Sequence, residues 1–94
     1  MEYSVFCNNV RLEVARMMGD SYEVRQEKVI KNNHVTYDGL VIMKKGEHVA
    51  PTACLNDFYN EYNQGHNITD IALSIIVWYE QYNRPVHFAK LYQN

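Results

Sequence analysis

Cysteine is scarce in this chain of 94 residues, in which Cys7 and Cys54 are the only two. They form no C-x-x-C pair, so we interpret both as reduced thiols on helix faces of a cytoplasmic protein. We expect no signal peptide, because charged side chains such as Glu2 and Arg11 interrupt the N-terminal stretch. The longest apolar run, residues 75–79, is too short to cross a bilayer, so we expect no membrane association.

A strong excess of one charge is also lacking, since the formal net charge is −2. Domains that bind nucleic acid usually carry a basic stripe, which this composition does not favour. No H-x-x-x-H or C-x-x-C pair marks a metal site, and the glycines are isolated, so no phosphate-binding loop is present. We therefore predict no metal, no cofactor and no catalytic residue. A nucleophile–base pair of Cys54 with His48 or His66 is the weakest interpretation.

Apolar spacing predicts the order of helices and strands. Apolar residues at spacings of three and four predict a helix over about residues 3–18, which ends at Gly19. The residues of this stripe are Tyr3, Phe6, Val10, Val14 and Met17. Branched and aromatic residues predict strands at about 22–31 and 34–43. Two more helices are predicted at about 52–64, opening at Pro51-Thr52, and at about 69–83, capped by Asn67 or Thr69.

This order predicts one small α+β domain over residues 1–94. An antiparallel hairpin is expected, with a short strand near Val49-Ala50 as an optional third, covered on one face by the three helices. The tail 86–94 is expected to dock back onto them.

Two turn signals compete within the hairpin, Asn32-Asn33 and Asp38-Gly39, since both can reach positive φ. A tip at Asn32-Asn33 places Val24 opposite Ile42 if an extra residue, a β-bulge, lies at Gly39. A tip at Asp38-Gly39 would instead pair Tyr37 with Leu40. We favour the first arrangement and leave the second open.

Aromatic residues are the compositional exception, with eight tyrosines and one tryptophan. Four tyrosines fall on the two neighbouring C-terminal helices: Tyr59, Tyr62, Tyr79 and Tyr82. They either cement these helices together or form an interface. Trp78 lies about 100° or more from the apolar stripe of its helix. It either covers the tail near Phe88 and Leu91 or is an exposed anchor for a partner.

Two candidate binding surfaces follow from these patterns. The first lies on the second and third helices and comprises Asp57, Glu61, Trp78 and Glu80. Asp57 and Glu61 share a helix face at i, i+4 spacing, which is typical of a solvated acidic surface. The second is a basic face of the hairpin, comprising Arg25, Lys28, Lys31, Lys44 and Lys45. Nearby acidic residues dilute its charge, so edge protection by lysine is the simpler interpretation.

The chain resembles an uncharacterised domain family whose members carry a K-N-N turn and a P-T-x-x-L-x-x-F-Y-x-x-Y-x-x-G segment. Here the turn is Lys31-Asn32-Asn33, and the segment runs from Pro51 to Gly65. The resemblance covers most of residues 1–82. It implies an origin in Gram-positive gut anaerobes and no established activity. His34 stands where a glycine would be expected after the asparagines, and the chain is interpreted as a short stand-alone version.

Together these observations favour a non-enzymatic protein–protein interaction module. One specific form is a phage- or mobile-element-encoded, anti-CRISPR-like inhibitor of a bacterial defence or regulatory complex, whose partner would be a protein or a nucleoprotein complex. The alternative is a nucleic-acid-binding regulator that uses the basic hairpin and stacking tyrosines. A homodimer is compatible with both, because a hairpin edge or a tyrosine-rich face could pair two copies.

Overall fold

Three helices and a three-stranded antiparallel sheet make up the part of the chain that the computed structural model describes, residues 2–46 and 52–82. The elements are α1 (Tyr3–Met18), β1 (Tyr22–Lys31), β2 (His34–Lys44), β3 (Thr52–Cys54), α2 (Leu55–Asn63) and α3 (Ile68–Tyr82). The strand order is β1-β2-β3. The predicted α+β fold is therefore confirmed. The predicted docking of residues 86–94 lies outside the described residues.

The core lies between one face of the sheet and the helices. Leu40 and Ile42 of the central strand point into it, because alternate residues of a strand share a face. The helices add their apolar stripes to the same cluster: Phe6, Val10 and Val14 of α1, Leu55 of α2, and Ile71, Ala72, Ile75 and Tyr79 of α3. The stripe predicted for α1 is thus its buried face, whereas Leu12 on the opposite side is half-exposed. Gly19 ends α1 with φ of 83°, and its N–H bonds the Ala15 carbonyl at 3.1 Å.

The hairpin turns at Asn32-Asn33, as favoured from the sequence. Both residues adopt positive φ, 53° and 67°, the geometry of a two-residue turn that matches strand twist. Asp38-Gly39 lies inside β2, which excludes the alternative tip. Val24 pairs with Ile42 as expected.

The β-bulge was predicted at the wrong position. The register shifts between Val29 and Ile30, opposite the extra residue Thr36, and not at Gly39. Gly39 is paired on both sides, with Glu27 of β1 and Cys54 of β3. An unpaired residue there would interrupt two ladders at once, whereas near the hairpin end it interrupts one. A consequence is that Lys28 lies opposite Asp38.

The start of the second helix was also predicted wrongly. Residues Thr52–Cys54 form β3, which pairs with residues 39–41 of β2, and α2 begins only at Leu55. The free edge of β2 offers unpaired N–H and C=O groups, and pairing with them outweighs the tendency of Thr52 to open a helix. The strand suggested at Val49-Ala50 lies outside the described residues.

A tight connection joins α2 to α3. Gly65, with φ of 106°, follows the end of α2, and its N–H bonds the Tyr62 carbonyl at 3.0 Å. Asn67, one of the two caps predicted, caps α3, because its side-chain oxygen accepts the Asp70 N–H at 2.8 Å. The short connection places the α2 face that carries Asp57, Phe58 and Glu61 beside α3.

Candidate partner-binding groove

An open groove of about 350 Å³ runs between α2, α3 and the end of β3. Its described lining comprises Ala53, Cys54, Asp57, Phe58, Glu61 and Trp78, and we call this set the acidic groove. Its size falls within the range of about 300–1,000 Å³ that is usual for ligand sites.

Helical spacing explains which α2 side chains reach the acidic groove. Cys54 is the N-cap of α2, and Asp57, Phe58 and Glu61 follow at three, four and seven residues. These offsets place them on one face of a helix. Phe58 is half-buried and packs against the core, so it forms the floor. Asp57 and Glu61 are exposed and form the rim.

Trp78 reaches the acidic groove from α3. It is half-buried, packing partly against the core and partly lining the groove. Glu80 is exposed but lies two residues further, about 200° around the helix from Trp78. The structure therefore brings together Asp57, Glu61 and Trp78 from the surface suggested by the sequence, and it leaves Glu80 outside.

The rim of the acidic groove carries the negative charge of two carboxylates, those of Asp57 and Glu61. Within residues 2–46 and 52–82, no cation forms an ion pair with Asp57 or Glu61. Asp57 lies in the first turn of α2, where the helix dipole stabilises a carboxylate. Glu61 lies near the other end, where the dipole disfavours it, and the last turn carries no basic residue. It also lies four residues from Asp57, at a spacing where like charges repel.

A second polar site, missed by the sequence analysis, surrounds Asp38. Its carboxylate accepts a hydrogen bond from the Tyr3 hydroxyl at 2.7 Å and an ion-paired one from the Lys28 ammonium. The Asp38 backbone N–H donates to the Asn56 side-chain oxygen at 2.9 Å. We call these residues (Tyr3, Lys28, Asp38 and Asn56) the Asp38 cluster. It joins α1, β1, β2 and α2, and only the correct hairpin register could have revealed it.

Proton affinities in the Asp38 cluster follow from its contacts. The Lys28 ammonium, and after it the Tyr3 hydroxyl, lowers the pKa of Asp38. Burial first, and then the bond to Asp38, raises the pKa of Tyr3 well above its ordinary value. Burial also raises the pKa of the neighbouring Cys7 thiol. Cys7 is therefore a protonated core residue at neutral pH and no nucleophile.

The basic hairpin residues do not form one surface. Arg25 is ion-paired with Glu23 at 3.0 Å and with Glu27 at 2.6 Å, and Lys28 with Asp38. Arg25 and Lys28 are three residues apart in one strand, so they point to opposite faces of the sheet. Lys44 and Lys45 are exposed at the far end of β2, and the side chain of Lys31 lies outside the described part.

Three of the four helix tyrosines pack in or against the core. Tyr59 and Tyr62 pack on α1, with ring centroids 5.0 Å and 5.4 Å from Phe6. Tyr59 also meets Tyr3 edge-on at 5.0 Å. Tyr79 is buried and meets Tyr22 of β1 at 6.1 Å. These rings therefore contribute to the core, while the side chain of Tyr82 lies outside the described residues.

Groups needed for thiol or metal chemistry do not converge in the described residues. Both cysteines are free thiols, as predicted, and Cys7 is buried on α1; Cys54, however, ends β3 and does not lie on a helix face, and it is half-exposed in the acidic groove. The exposed His66 is not among the described residues lining that groove, and His48 lies outside them. Across residues 2–46 and 52–82, no group of three His, Cys, Asp or Glu side chains is placed to hold a metal ion. Of the described helices, none has the length and apolar character that a membrane span requires.

Comparison with known proteins identifies a family for the chain but indicates no chemistry. A family model matches residues 3–93, and the chain belongs to that family, DUF5688, a family of unknown function. This confirms the resemblance to an uncharacterised family, while the inferred origin in Gram-positive gut anaerobes stays a prediction. No curated protein matches the chain, and no solved structure does.

Proposed function

We propose that this protein is a non-enzymatic binding module that holds a segment of a partner protein in the acidic groove. The observation that carries the proposal is the meeting of Trp78 and Phe58 in one groove with two carboxylates that pair with no described cation. Tryptophan is among the residues that contribute most to protein interfaces when it lies in a pocket surrounded by polar groups. The open shape suits a peptide segment that lies across α2 and α3.

Charge supports a protein partner over a nucleic acid. The carboxylates of Asp57 and Glu61 would repel a phosphate backbone, and no described cation compensates them. On the hairpin, ion pairs already engage Arg25 and Lys28. The nucleic-acid alternative would have to break these pairs, which disfavours it.

A thiol enzyme has less support than a binding module. Cys54 would need an adjacent base that is itself oriented by a third group. The described groove side chains near it are carboxylic and aromatic, with no histidine among them. The narrower role of a mobile-element inhibitor of a defence complex stays a prediction, as does the identity of the partner.

The proposal is tested by affinity capture from a lysate of the source organism, with variants compared side by side. Trp78→Ala and Asp57→Lys change the acidic groove, whereas Leu73→Ala removes an exposed apolar side chain elsewhere on α3. We expect one partner to be retained by the wild type and by Leu73→Ala and lost from both groove variants. Circular dichroism shows whether each variant is folded, and Asp57→Lys keeps the test valid if Trp78→Ala is not. Equal retention by all folded variants would contradict the proposal.

A further inference from the structure

The two rim carboxylates are held in an unfavourable arrangement. Among the described residues, Glu13, Glu23, Glu27 and Asp38 are each ion-paired, whereas no described cation pairs with Asp57 and Glu61 or with the other exposed carboxylates, Glu2, Asp20, Asp70 and Glu80. Of these described carboxylates without an ion pair, only Asp57 and Glu61 lie four residues apart in one helix, a spacing that brings their Cβ atoms about 5–6 Å apart. A cation placed between them would remove their repulsion. It would also offset the unfavourable position of Glu61 near the C-terminal end of α2.

The walls of the acidic groove indicate what kind of cation fits. Trp78 and Phe58 present aromatic surface beside the carboxylates. A guanidinium group stacks on aromatic faces and donates paired hydrogen bonds to carboxylates, whereas an ammonium group is more strongly hydrated and lacks the planar fork. A divalent metal is a poorer fit, because the two carboxylates are the only oxygen-bearing side chains of the described lining and the aromatic walls offer no ligand to calcium or magnesium.

From this geometry we infer that the acidic groove recognises an arginine side chain in an apolar segment of the partner. The guanidinium lies between the carboxylates of Asp57 and Glu61 and stacks on the indole of Trp78, while neighbouring apolar residues contact Phe58 and Ala53. This inference rests on the proposed function and specifies the chemistry of the bound segment.

A titration with matched peptides tests the inference directly. The probes are acetylated, amidated pentapeptides, Gly-Leu-X-Leu-Gly, in which X is arginine, lysine or citrulline. Citrulline keeps the shape of arginine but carries no charge. Trp78 is the only tryptophan, so its indole N–H gives one unambiguous NMR signal in the full-length protein. We expect the arginine peptide to shift this signal saturably, lysine to bind several-fold more weakly and citrulline at least about tenfold more weakly.

Two charge-neutralising variants provide the control. Glu61→Gln should weaken arginine-peptide binding several-fold. Glu80→Gln, which removes the same charge near the end of α3 but outside the acidic groove, should leave binding unchanged. Binding of the arginine peptide should also weaken as salt is raised, because the contact is between exposed charges.

Each remaining outcome would overturn the inference in a distinguishable way. Equal binding of arginine and citrulline peptides would show an apolar docking groove, which leaves the proposed function standing. No shift with any peptide would reject arginine recognition, while the Trp78-dependent capture experiment still decides the proposed function. An indole shift caused by Arg84→Gln with Lys90→Gln, without added peptide, would assign the groove to the chain's own C-terminal residues.

Discussion

The Asp38 cluster and the acidic groove place carboxylates in opposite situations. Asp38 is mostly buried and bonded to a hydroxyl and an ammonium from two other elements. Asp57 and Glu61 are exposed, and no described cation pairs with them. Both sites include residues of α2, yet Asn56 belongs to the first and Asp57 to the second.

This difference separates polar groups that hold the fold together from polar groups that are accessible to a ligand. A buried polar atom without a partner is costly, and no such side-chain atom occurs among the described residues. The Asp38 cluster meets this requirement internally. An exposed carboxylate is satisfied by water, so it can exchange that water for a ligand.

The largest difference between the two sites is expected when one carboxylate is removed from each. Asp38→Ala leaves the partly buried Tyr3 hydroxyl without its partner, whereas the exposed Lys28 ammonium is hydrated instead, so we expect the free energy of unfolding to fall by about 1–2 kcal/mol. Asp57→Ala removes no described hydrogen bond and should change it by no more than about 0.5 kcal/mol. Urea denaturation measures both. Similar losses for the two variants would show that the acidic groove is a structural site.

The pH dependence of stability should follow the Asp38 cluster. The lowered pKa of Asp38 means that the folded state binds fewer protons there, so its contribution is present above about pH 4 and is lost as pH falls through the folded-state pKa. The raised pKa of Tyr3 acts in the opposite direction. Its contribution is present below about pH 10 and is lost as pH rises further.

Variants show which residue causes the loss of stability on each side of that pH profile, which we call its acid limb and its alkaline limb. Asp38→Asn should flatten the acid limb in urea denaturation measured across pH, whereas Asp57→Asn should retain it. Tyr3→Phe should flatten the alkaline limb and leave only the part due to Cys7, whose pKa is also raised. An acid limb that is unchanged in Asp38→Asn would mean that other carboxylates control acid unfolding.

How far the sequence predicts each site depends on whether the site is local or long-range. Helical spacing alone places Asp57 and Glu61 on one face and sets Trp78 apart from its apolar stripe. The groove itself requires the packing of α2 beside α3, which spacing does not specify. The Asp38 cluster is less predictable, because Lys28 and Asp38 face each other only after the bulge is placed correctly.

The errors in the predicted fold also arise where the structure depends on residues that are distant in sequence. Local signals located the hairpin tip at Asn32-Asn33, the end of α1 at Gly19 and the cap at Asn67, because each depends on a few adjacent residues. Residues 52–54 were assigned to the second helix because Pro51-Thr52 is typical of a helix start, whereas the edge of β2 with which they pair is distant in sequence. The bulge was misplaced because a glycine inside a strand usually marks one, whereas Gly39 is constrained by pairing on both sides.

The smallest predicted effect is a gain in stability within the acidic groove. Glu61→Gln removes a charge that both Asp57 and the α2 dipole disfavour, so we expect the free energy of unfolding to rise by about 0.5 kcal/mol. Glu80→Gln should gain less, because its helix position is similarly unfavourable but no acidic residue lies four positions before it. In a double-mutant cycle, the gain from Glu61→Gln should shrink once Asp57 is replaced by Asn, since the repulsion is then already absent. Thermal denaturation measures the differences. A loss of stability in Glu61→Gln would instead mean that this carboxylate, like Asp38, is held by the fold, and the contrast between the two sites would then disappear.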